Sequence, residues 1–484
     1  MISRTGYRTQ GRLKPNTGGD KGHFAGKKVL VMGLGRFGGG VDVVKFAAGA
    51  GAKVTVTDLA PAERLSDSLK QLEGLNNVEY HLGSHTADDF EQADIIVVNP
   101  AVPADNEFLE IARRNNRFIT SQVNIFFELC PATIIGITGA NGKSTTAALT
   151  THLLREQKSE VRSQKSDIEH RASSVEQVWL SGNIGDKPLL MIVDQIGPAD
   201  LVVLELSSFQ LEQLAQIRKS PQVALLTNLT PNHLDRYGTF ASYCQAKENI
   251  FRFQKPDEKS PPVSFFNAED KIGAEWFEKY SKDKRRICLE FSADDASGEI
   301  RSCFTLPGRA NLSNLAAAIA VAKYFGVDDE AIKNCLPEFK PLPHRLELVS
   351  QINGVSWYDD SKATTPESAI TALEAFEQPI IIAGGYDKNI SFDKFGEKIA
   401  RVAKAAVLIG QTREKIAAAI RASRADIPTV EFAKSLAEAV ELAERLSTPG
   451  DVVLLSPACA SSDMFENFQQ RGLVFRELVR KISG

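Results

Sequence analysis

The stretch Gly136-Ile-Thr-Gly-Ala-Asn-Gly-Lys-Ser-Thr145 decides the fold of this chain. It follows the apolar run ATIIGIT, which is typical of a buried strand, and leads into the helical pattern STTAALTTHLL. A glycine loop at this position can wrap a polyphosphate with backbone N–H groups, and the helix N-terminus adds positive charge. Lys143 would reach the terminal phosphates and the Ser144 hydroxyl could bind Mg²⁺. The stretch therefore predicts a nucleotide site, although Ile137 stands where a strict Walker A motif has its first glycine.

Outward from this loop, apolar strands alternate with helical patterns over nearly the whole chain. LVVLEL and VALLTNL follow it, KKVLVMGLG, AKVTVTD and ADIIVVNP precede it, and PIIIAGG, AAVLIG and DVVLLSPA lie near the end. Such alternation predicts parallel sheets with helical crossovers. We predict an α/β protein of three domains. They are a Rossmann-like domain with an N-terminal extension (1–121), a central domain of the P-loop ATPase type (122–340) and a C-terminal Rossmann-like domain (341–484).

Two segments stand outside this pattern. The first twenty residues are basic and rich in turn formers but lack the apolar segment of a signal peptide, so we interpret them as a floppy extension. The polar, charged stretch 155–177 is interpreted as a surface insertion, to which we assign no function.

The composition excludes several classes of function. With 43% hydrophobic and 24% charged residues, the chain is typical of a globular protein that can bury large cores. A net charge of −4 provides no overall basic field for nucleic acid or acidic lipid. The six cysteines show no metal-ligand spacing, and no apolar run reaches the ~18 residues that a membrane helix needs. We expect a cytoplasmic monomer that binds neither nucleic acid nor membrane.

Three residues beyond the loop are candidates for the same site. Glu205 ends the strand LVVLEL, where an acid in a sheet beside a phosphate loop can hold Mg²⁺. His233, in TNLTPNHLDRYG, follows another strand, although a single histidine is more often structural. Lys247, in SYCQAKENI, is interpreted from its surroundings alone as a solvated helix residue.

A second glycine motif, Gly33-Leu-Gly-Arg-Phe-Gly38, lies in the first predicted domain, with Asp58 twenty residues beyond it. This N-terminal glycine loop matches the dinucleotide fingerprint, in which glycines approach a pyrophosphate and the acid binds a ribose. Any nucleoside diphosphate could use the same device. Two phosphate sites on two sheets are thus predicted, and a simple dehydrogenase has no use for the second.

The third predicted domain carries polar clusters just past its strands, where open α/β sheets bind ligands. They are Asp359-Asp-Ser-Lys-Ala-Thr-Thr365, Gly384-Gly-Tyr-Asp-Lys388 and Ser456-Pro-Ala-Cys-Ala-Ser461. Their lysines could hold carboxylates or phosphates, and their hydroxyls could donate hydrogen bonds. Each cluster taken alone is equally consistent with ordinary loop polarity.

The order of the motifs identifies a family. GITGANGKST, LELSSFQLE, NHLDRYG, LPHR, DDSKATT and LSPACASSDMFENFQQRG follow one another with the spacing of the Mur ligases, and the chain from about Lys27 to its end resembles them. The last two motifs favour the branch that adds D-glutamate. The resemblance implies an ATP-dependent amide-bond ligase of peptidoglycan precursor synthesis. It would join D-glutamate to UDP-N-acetylmuramoyl-L-alanine through an acyl phosphate, with two Mg²⁺ ions.

The resemblance also implies roles for residues at matching positions. Lys143, His233 and Lys247 would be catalytic, with Lys247 carbamylated by CO₂. The metal ligands would be Ser144, Glu205, His233 and carbamylated Lys247. The ATP-binding residues would be Gly139, Ala140, Asn141, Gly142, Lys143, Ser144, Thr145, Asn311, Asn314, Arg345, Asp360 and Lys362. The UDP-sugar side of the site would contain Gly35, Arg36, Phe37, Asp58, Asn183 and Ser207. The D-glutamate pocket would contain Thr364, Lys388, Ser461 and Phe468.

Alternatives to this assignment remain open. A sibling Mur ligase would add L-alanine or a diamino acid, and a folate polyglutamate ligase would not need the first domain. A non-catalytic nucleotide sensor need not keep Lys143, Glu205, His233 and Lys247 together. Three positions depart from the family pattern: Ala140 replaces a hydroxyl residue, Asn99 a serine and Ala310 a histidine.

Overall fold

The structure, a computed structural model, describes residues 21–36, 38–160, 175–184, 188–258, 260–296, 298–423 and 428–482. The predicted N-terminal extension and residues 161–174 of the predicted insertion lie outside this range. The chain divides into two compact units, residues 1–291 with 320–328 and residues 292–319 with 329–484. The described residues form three sheets, two in the first unit and one in the second.

The first sheet contains five parallel strands. They are β1 (Lys28–Met32), β2 (Lys53–Asp58), β3 (Val78–Leu82), β4 (Ile95–Val98) and β5 (Phe118–Thr120), in the order β3-β2-β1-β4-β5. Its helices are α1 (Gly39–Gly49), α2 (Ser66–Lys70), α3 (Ala87–Gln92), α4 (Glu107–Arg114) and α5 (Gln122–Leu129). The strand order reverses at β1, so a crevice opens at the carboxyl ends of β1 and β4, which is where the N-terminal glycine loop begins.

The second sheet contains six parallel strands. They are β6 (Thr133–Thr138), β7 (Val178–Gly182), β8 (Leu201–Glu205), β9 (Val223–Leu226), β10 (Val263–Asn267) and β11 (Ile287–Phe291), in the order β11-β10-β9-β6-β8-β7. Its helices are α6 (Lys143–Glu160), α7 (Ser208–Gln216), α8 (Leu234–Tyr237), α9 (Phe240–Arg252) and α10 (Lys271–Tyr280). Strand β6 lies between β8 and β9, and all three strands end at the same edge of the sheet. The loops that follow these three strands therefore lie next to one another.

The third sheet lies in the second unit. Its strands are β12 (Glu347–Ile352), β13 (Val355–Asp359), β14 (Ile380–Gly384), β15 (Ala405–Ile409), β16 (Thr429–Phe432) and β17 (Val452–Leu455), in the order β12-β13-β17-β14-β15-β16. Only the β12–β13 pair in this sheet is antiparallel. The remaining helices are α11 (Gly298–Ser302), α12 (Arg309–Tyr324), α13 (Asp329–Cys335), α14 (Pro366–Leu373), α15 (Asp393–Val402), α16 (Arg413–Ala422), α17 (Leu436–Leu446) and α18 (Phe468–Ile482).

The two sheets of the first unit share one apolar core, to which Val31 of β1, Phe126 of α5 and Leu204 of β8 all belong. Full burial of such side chains stabilises a fold by about 1.5–3 kcal/mol each. A buried carboxylate also joins them. Asp42 in α1 accepts hydrogen bonds from the backbone N–H groups of Leu190 (2.8 Å) and Met191 (3.1 Å). The prediction of an α/β protein with three sheets is confirmed. In the described residues, no helix combines the length and the hydropathy needed to span a membrane.

Candidate active site

The phosphate loop (residues 139–142) connects β6 to α6 and depends on two glycines with positive φ, 150° at Gly139 and 79° at Gly142. A Cβ atom on Gly139 would lie 2.0 Å from the Thr227 hydroxyl oxygen and 3.0 Å from the carbonyl oxygen of Asn228. Only glycine, which has no Cβ atom, allows the backbone at this position to pass so close to the segment after β9. The glycine at this position is therefore a requirement of the loop's path.

Two residues that sequence reasoning did not single out hold the phosphate loop in shape. Asn228 accepts the Ala140 N–H at its carbonyl oxygen (2.8 Å) and the Asn141 N–H at its side-chain oxygen (3.0 Å). The Thr227 hydroxyl donates to the carbonyl oxygen of Asn141 (2.6 Å), 86 residues away along the chain. The only sequence signal was the run TNLTPNH after a buried strand. Hydrogen bonds with Thr227 and Asn228 therefore hold the phosphate loop in one fixed shape.

The residues after the loop meet an acid from the neighbouring strand. The Ser144 hydroxyl donates to Oε2 of Glu205 at 2.6 Å, and both side chains are buried. Lys143 donates from Nζ to the carbonyl oxygen of Ala140 (2.9 Å), so it folds back over the loop, and Thr145 is buried behind it. A carboxylate and a hydroxyl are hard oxygen ligands of the kind that Mg²⁺ prefers. The donor set therefore fits a magnesium ion beside bound phosphates.

Lys247 is buried, with 2% of its surface exposed, so the interpretation of this residue as a solvated helix position is wrong. Its Nζ donates to the Thr138 hydroxyl (3.0 Å) and lies 5.5 Å from the centroid of the Tyr243 ring. Burial, and next the positive charge of Lys143, hold the Lys247 pKa well below its usual value. In the described part of the chain, Lys247 has no carboxylate within ion-pair distance.

His233 is the N-cap residue that precedes the short helix α8, and it adopts the left-handed conformation, with φ 52° and ψ 36°. Its exposed ring packs 5.0 Å from the ring of Phe209 and 6.3 Å from that of Tyr243. Desolvation, and then the charge of Lys247, lower the His233 pKa, which favours the neutral ring that binds metals. Among the described residues, no three His, Cys, Asp or Glu side chains form a ready metal cluster. Magnesium sites of proteins commonly combine one or two carboxylates with substrate phosphates.

The N-terminal glycine loop is ordered by the acid that the fingerprint predicted. Asp58 accepts the N–H of Gly35 at Oδ2 (3.0 Å) and that of Ala60 at Oδ1 (2.8 Å). The Ser68 hydroxyl donates to the carbonyl oxygen of Gly35 (2.7 Å), and Arg36 is exposed. Phe37 lies outside the described residues.

Two further residues of the predicted UDP-sugar set lie at the carboxyl edge of the second sheet. Asn183 is exposed after β7, and its N–H donates to the carbonyl oxygen of Glu205 (3.4 Å). Ser207 caps α7, because its hydroxyl oxygen accepts the N–H of Gln210 (3.2 Å) while the Gln210 side chain accepts the N–H of Ser207 (2.9 Å). The structure therefore gives Ser207 a role in helix capping.

In the second unit, a buried acid lies between two strand ends. Asp360, after β13, accepts the hydroxyl of Ser456 (2.7 Å) and the N–H of Leu346 (3.3 Å). Burial raises the Asp360 pKa to about 7, against the lowering effect of the Ser456 bond and of the Arg345 charge. Asn311 and Asn314 lie one turn apart on α12, where both are buried and joined by a hydrogen bond of 3.3 Å.

Three of the predicted amino-acid pocket residues lie in the loops after β13, β14 and β17, and the fourth, Phe468, is the first residue of α18. Ser461 is buried, Lys388 is exposed, and Thr364 donates its N–H to the carbonyl oxygen of Lys362 (2.9 Å). Lys362 Nζ lies 5.7 Å from the centroid of the Phe468 ring at the start of α18. Lys362 is thereby brought beside Phe468, one member of the predicted pocket.

Arg471 connects these loops, and sequence reasoning missed it. Its guanidinium is buried and donates to the Ser361 hydroxyl (2.9 Å), to the Ser361 carbonyl (2.8 Å) and to the Cys459 carbonyl (3.1 Å). It thus ties the loop after β13 to the loop after β17. The arginine stands in the quoted run FENFQQRG, but nothing in that run shows which way it points.

The fold and the site define a phosphate-loop α/β protein with a hydroxyl–carboxylate pair, Ser144 and Glu205, beside that loop and a second glycine loop on a separate sheet. Residues 27–121 match the Mur ligase MurD-like N-terminal domain, 137–322 the Mur ligase middle domain, and 344–459 the Mur ligase, glutamate ligase domain. The chain belongs to the Mur ligase family, as the resemblance of its motifs predicted.

Relatives match over almost the full length. The chain is 38% identical to the UDP-N-acetylmuramoylalanine--D-glutamate ligase of Roseiflexus sp. (strain RS-1), covering 95% of this chain and 100% of the relative. It is 37% identical to the protein of the same name from Acetivibrio thermocellus, covering 94% and 97%. Solved structures support the fold. MurF from Acinetobacter baumannii has a TM-score of 0.53 at 15% identity, covering 95% of this chain and 92% of that one. A pseudomurein peptide ligase type C from Methanothermus fervidus has a TM-score of 0.51 at 16% identity, covering 94% and 100%.

Proposed function

We propose that this protein is the ATP-dependent ligase that adds D-glutamate to UDP-N-acetylmuramoyl-L-alanine during synthesis of peptidoglycan precursors. The observation that carries the proposal is the contact between Ser144 and Glu205 directly after the phosphate loop. It occurs in a chain that aligns over 95% of its length with a ligase of that name. The proposed substrates, ATP and a UDP-sugar, place the reaction in the cytoplasm, and we propose a monomer.

The reaction has to activate a carboxylate without losing it to water. The acceptor carboxylate takes the γ-phosphoryl group of ATP to give an acyl phosphate, and ADP leaves. The D-glutamate amine then attacks the acyl carbon, so that a C–N bond forms, the C–O bond to phosphate breaks and a proton leaves the nitrogen. In phosphoryl transfer a protein contributes mainly positioning and charge neutralisation. Lys143 would neutralise phosphate oxygens, and the phosphate loop would hold the chain of phosphates in line.

Mg²⁺ would be held by Ser144 and Glu205 and would draw the two anionic reactants together. We further propose a second ion, with His233 and a carbamate of Lys247 among the ligands. Lys247 is an amine buried beside Thr138, with no ion-pair partner among the residues that the structure describes. Such an amine gains a favourable environment once CO₂ converts it to an anion facing metal. The carbamate would add a second negative charge to that of Glu205, whose field already reaches Lys247.

The substrate contacts are proposed at the positions given by the family. ATP would contact residues 139–145, Asn311, Asn314, Arg345, Asp360 and Lys362. The acceptor would contact Gly35, Arg36, Phe37, Asp58, Asn183 and Ser207. D-Glutamate would contact Thr364, Lys388, Ser461 and Phe468. The proposed domain limits remain 1–121, 122–340 and 341–484.

A phosphate-release assay tests the proposal. The protein is given ATP, Mg²⁺ and UDP-N-acetylmuramoyl-L-alanine, with D-glutamate, L-glutamate, L-alanine, L-lysine or diaminopimelate in parallel. Release is expected with D-glutamate alone, together with a product heavier by one glutamyl residue. Release with a different amino acid would assign the chain to a sibling ligase. No release with any of them would favour a nucleotide sensor.

A further inference from the structure

The loop after β4 is held by side chains from the second sheet. Arg236 of α8 donates from Nη1 to the carbonyl oxygens of Pro100 (3.0 Å) and Ala101 (3.2 Å), more than 130 residues away in the sequence. Gln213 of α7 donates to the Val98 carbonyl oxygen (3.1 Å). A guanidinium can bridge two carbonyl oxygens with a fixed geometry that a lysine cannot reproduce. This bridge therefore fixes the position of the 99–101 segment relative to α8.

The same segment contacts the N-terminal glycine loop on its other side. Asn99 donates from Nδ2 to the Gly33 carbonyl oxygen (3.1 Å) and accepts the N–H of Ala101 at Oδ1 (3.0 Å). A Cβ atom on Gly33 would lie 2.8 Å from the Cβ of Asn99, so any side chain at position 33 would collide with Asn99. A change in the arrangement of the N-terminal glycine loop must therefore move Asn99 and the carbonyl groups that Arg236 binds.

Arg236 also controls the surroundings of His233. Both residues belong to one helical turn, because the His233 carbonyl oxygen accepts the N–H of Arg236 (3.1 Å) and that of Tyr237 (3.0 Å). The guanidinium lies 4.2 Å above the ring of Phe209, which also contacts the rings of His233 (5.0 Å) and Tyr237 (6.0 Å). Glu212 of α7 binds this turn twice, at 3.6 Å from Arg236 and 3.2 Å from the Tyr237 hydroxyl. Through these contacts, Arg236 holds in place the helical turn that determines the position of His233.

We propose that Arg236 is a positioning residue that couples the two nucleotide sites. The diphosphate of the acceptor, bound at the N-terminal glycine loop, would favour binding of the Mg²⁺–nucleotide at the phosphate loop. The inference rests on the proposed function. A ligand that holds the N-terminal glycine loop in one arrangement also holds Asn99 and the carbonyl groups after it. When the Mg²⁺–nucleotide then binds at the phosphate loop, the turn that contains His233 is already in its final position. A site that is ordered before the ligand arrives binds that ligand more tightly. Such coupling is reciprocal between the two ligands.

Calorimetry with the full chain tests the coupling without turnover. The probe is Mg²⁺ with AMP-PNP, a non-hydrolysable ATP analogue, titrated with and without saturating UDP-N-acetylmuramoyl-L-alanine. In the parent protein the acceptor should lower the Kd of the analogue about 5- to 150-fold, the range typical of coupled sites. In Arg236→Met this ratio should fall to within about twofold of one, while each ligand alone binds within about threefold of the parent.

Arg113→Met provides the matched control. Arg113 also donates to a backbone carbonyl, that of Ala104 (2.8 Å), but both residues lie in the part of the chain that forms the first sheet, so this bond does not connect the two sheets. This variant should keep the parent ratio. Asn99→Ala removes the contact between this segment and Gly33. It should bring the ratio of the two Kd values close to one, and it provides this test even if Arg236→Met does not fold. Retention of the parent ratio in Arg236→Met or Asn99→Ala would overturn the coupling. A parent ratio of one, with both ligands bound, would overturn the coupling and leave the proposed function standing. Failure of the parent to bind either ligand would overturn both.

Discussion

At the scale of single residues, the chemistry of the central site depends on two lysines and one acid held near the phosphate loop. Lys143 folds over the loop, Lys247 is buried beneath it, and Glu205 receives the Ser144 hydroxyl. Each charge lies in a setting where water screens it poorly, so its effect on a bound phosphate is larger than at the surface. The consequences of removing each one differ.

Lys143→Ala should reduce turnover by on the order of 10²–10³, because it removes a positioned charge that is strongest in the transition state. The fold should persist, since the loop is held by Thr227 and Asn228. Phosphate release measures the effect, and circular dichroism checks the fold. Lys53→Ala, at an exposed position of β2, is the control and should behave as the parent. Turnover of Lys143→Ala within about tenfold of the parent would contradict the assigned role.

Lys247→Ala should abolish turnover, because both the buried amine and its proposed carbamate are lost. Formate, acetate or propionate should restore part of the activity by placing a carboxylate in the space that remains. The same acids should not help Lys143→Ala, since no anion is missing there. Full activity of Lys247→Ala without any acid would rule out the two-metal scheme.

Asp360 should make the second unit less stable as the pH rises. Burial raises its pKa to about 7 from 3.8, so the folded state prefers the protonated acid. The stabilisation is complete below about pH 4 and is lost as the pH passes through 7. The difference between these two pKa values sets its upper bound at about 4 kcal/mol. The protection factors of β13 and β17 against hydrogen exchange, corrected for the intrinsic exchange rate at each pH, should therefore fall between pH 4 and 7 in the parent and fall much less in Asp360→Asn. Identical pH profiles for the two proteins would refute the prediction.

At the scale of elements, the phosphate loop shows what a local pattern can and cannot reveal. Residues 136–145 predicted the strand, the loop and the helix, because each of these depends on neighbours in the sequence. The clamp by Thr227 and Asn228 was missed, since it depends on how β6 and β9 pair. Edge strand β12, whose residues are mostly half-exposed, lacks the apolar run that marks a buried strand, and it was missed as well.

Gly139→Ala should disrupt this element. The added Cβ would meet the Thr227 hydroxyl at 2.0 Å, and φ at this residue is 150°. Loss of AMP-PNP binding and destabilisation of more than about 1–3 kcal/mol are expected, as for strained backbone positions. Gly49→Ala is the matched control, because Gly49 lies in α1 with nothing within 4 Å of its added Cβ. That control should be neutral or stabilise by about 0.5–1 kcal/mol. Equal nucleotide affinity of Gly139→Ala and the parent would show that the close approach is unimportant.

At the scale of the whole molecule, the first unit behaves as one body only if its two sheets are firmly joined. Asp42 is one polar part of that joint, beside the bonds from Arg236 and Gln213. Burial raises the Asp42 pKa, and the three hydrogen bonds of the carboxylate offset this effect in part. Its partners at residues 190–191 lie 148 residues or more away, and nothing in the run GGVDVVKFAAG around Asp42 indicates them. Contacts between residues so far apart in the chain could not be predicted from the sequence alone.

Asp42→Ala should therefore loosen both sheets of the first unit together. It leaves the N–H groups of Leu190 and Met191 and the Gln122 amide without their acceptor, and each unsatisfied buried donor costs about 1–3 kcal/mol. Hydrogen exchange should quicken in β1 and β4 and also in β6 and β8. Asp94→Ala is the control, because Asp94 accepts the N–H of Lys28 (2.9 Å) within the first sheet. Its effect should stay below about 1 kcal/mol and remain in that sheet. If Asp42→Ala alters exchange in the first sheet alone, the two sheets are joined by their apolar core and not by this carboxylate.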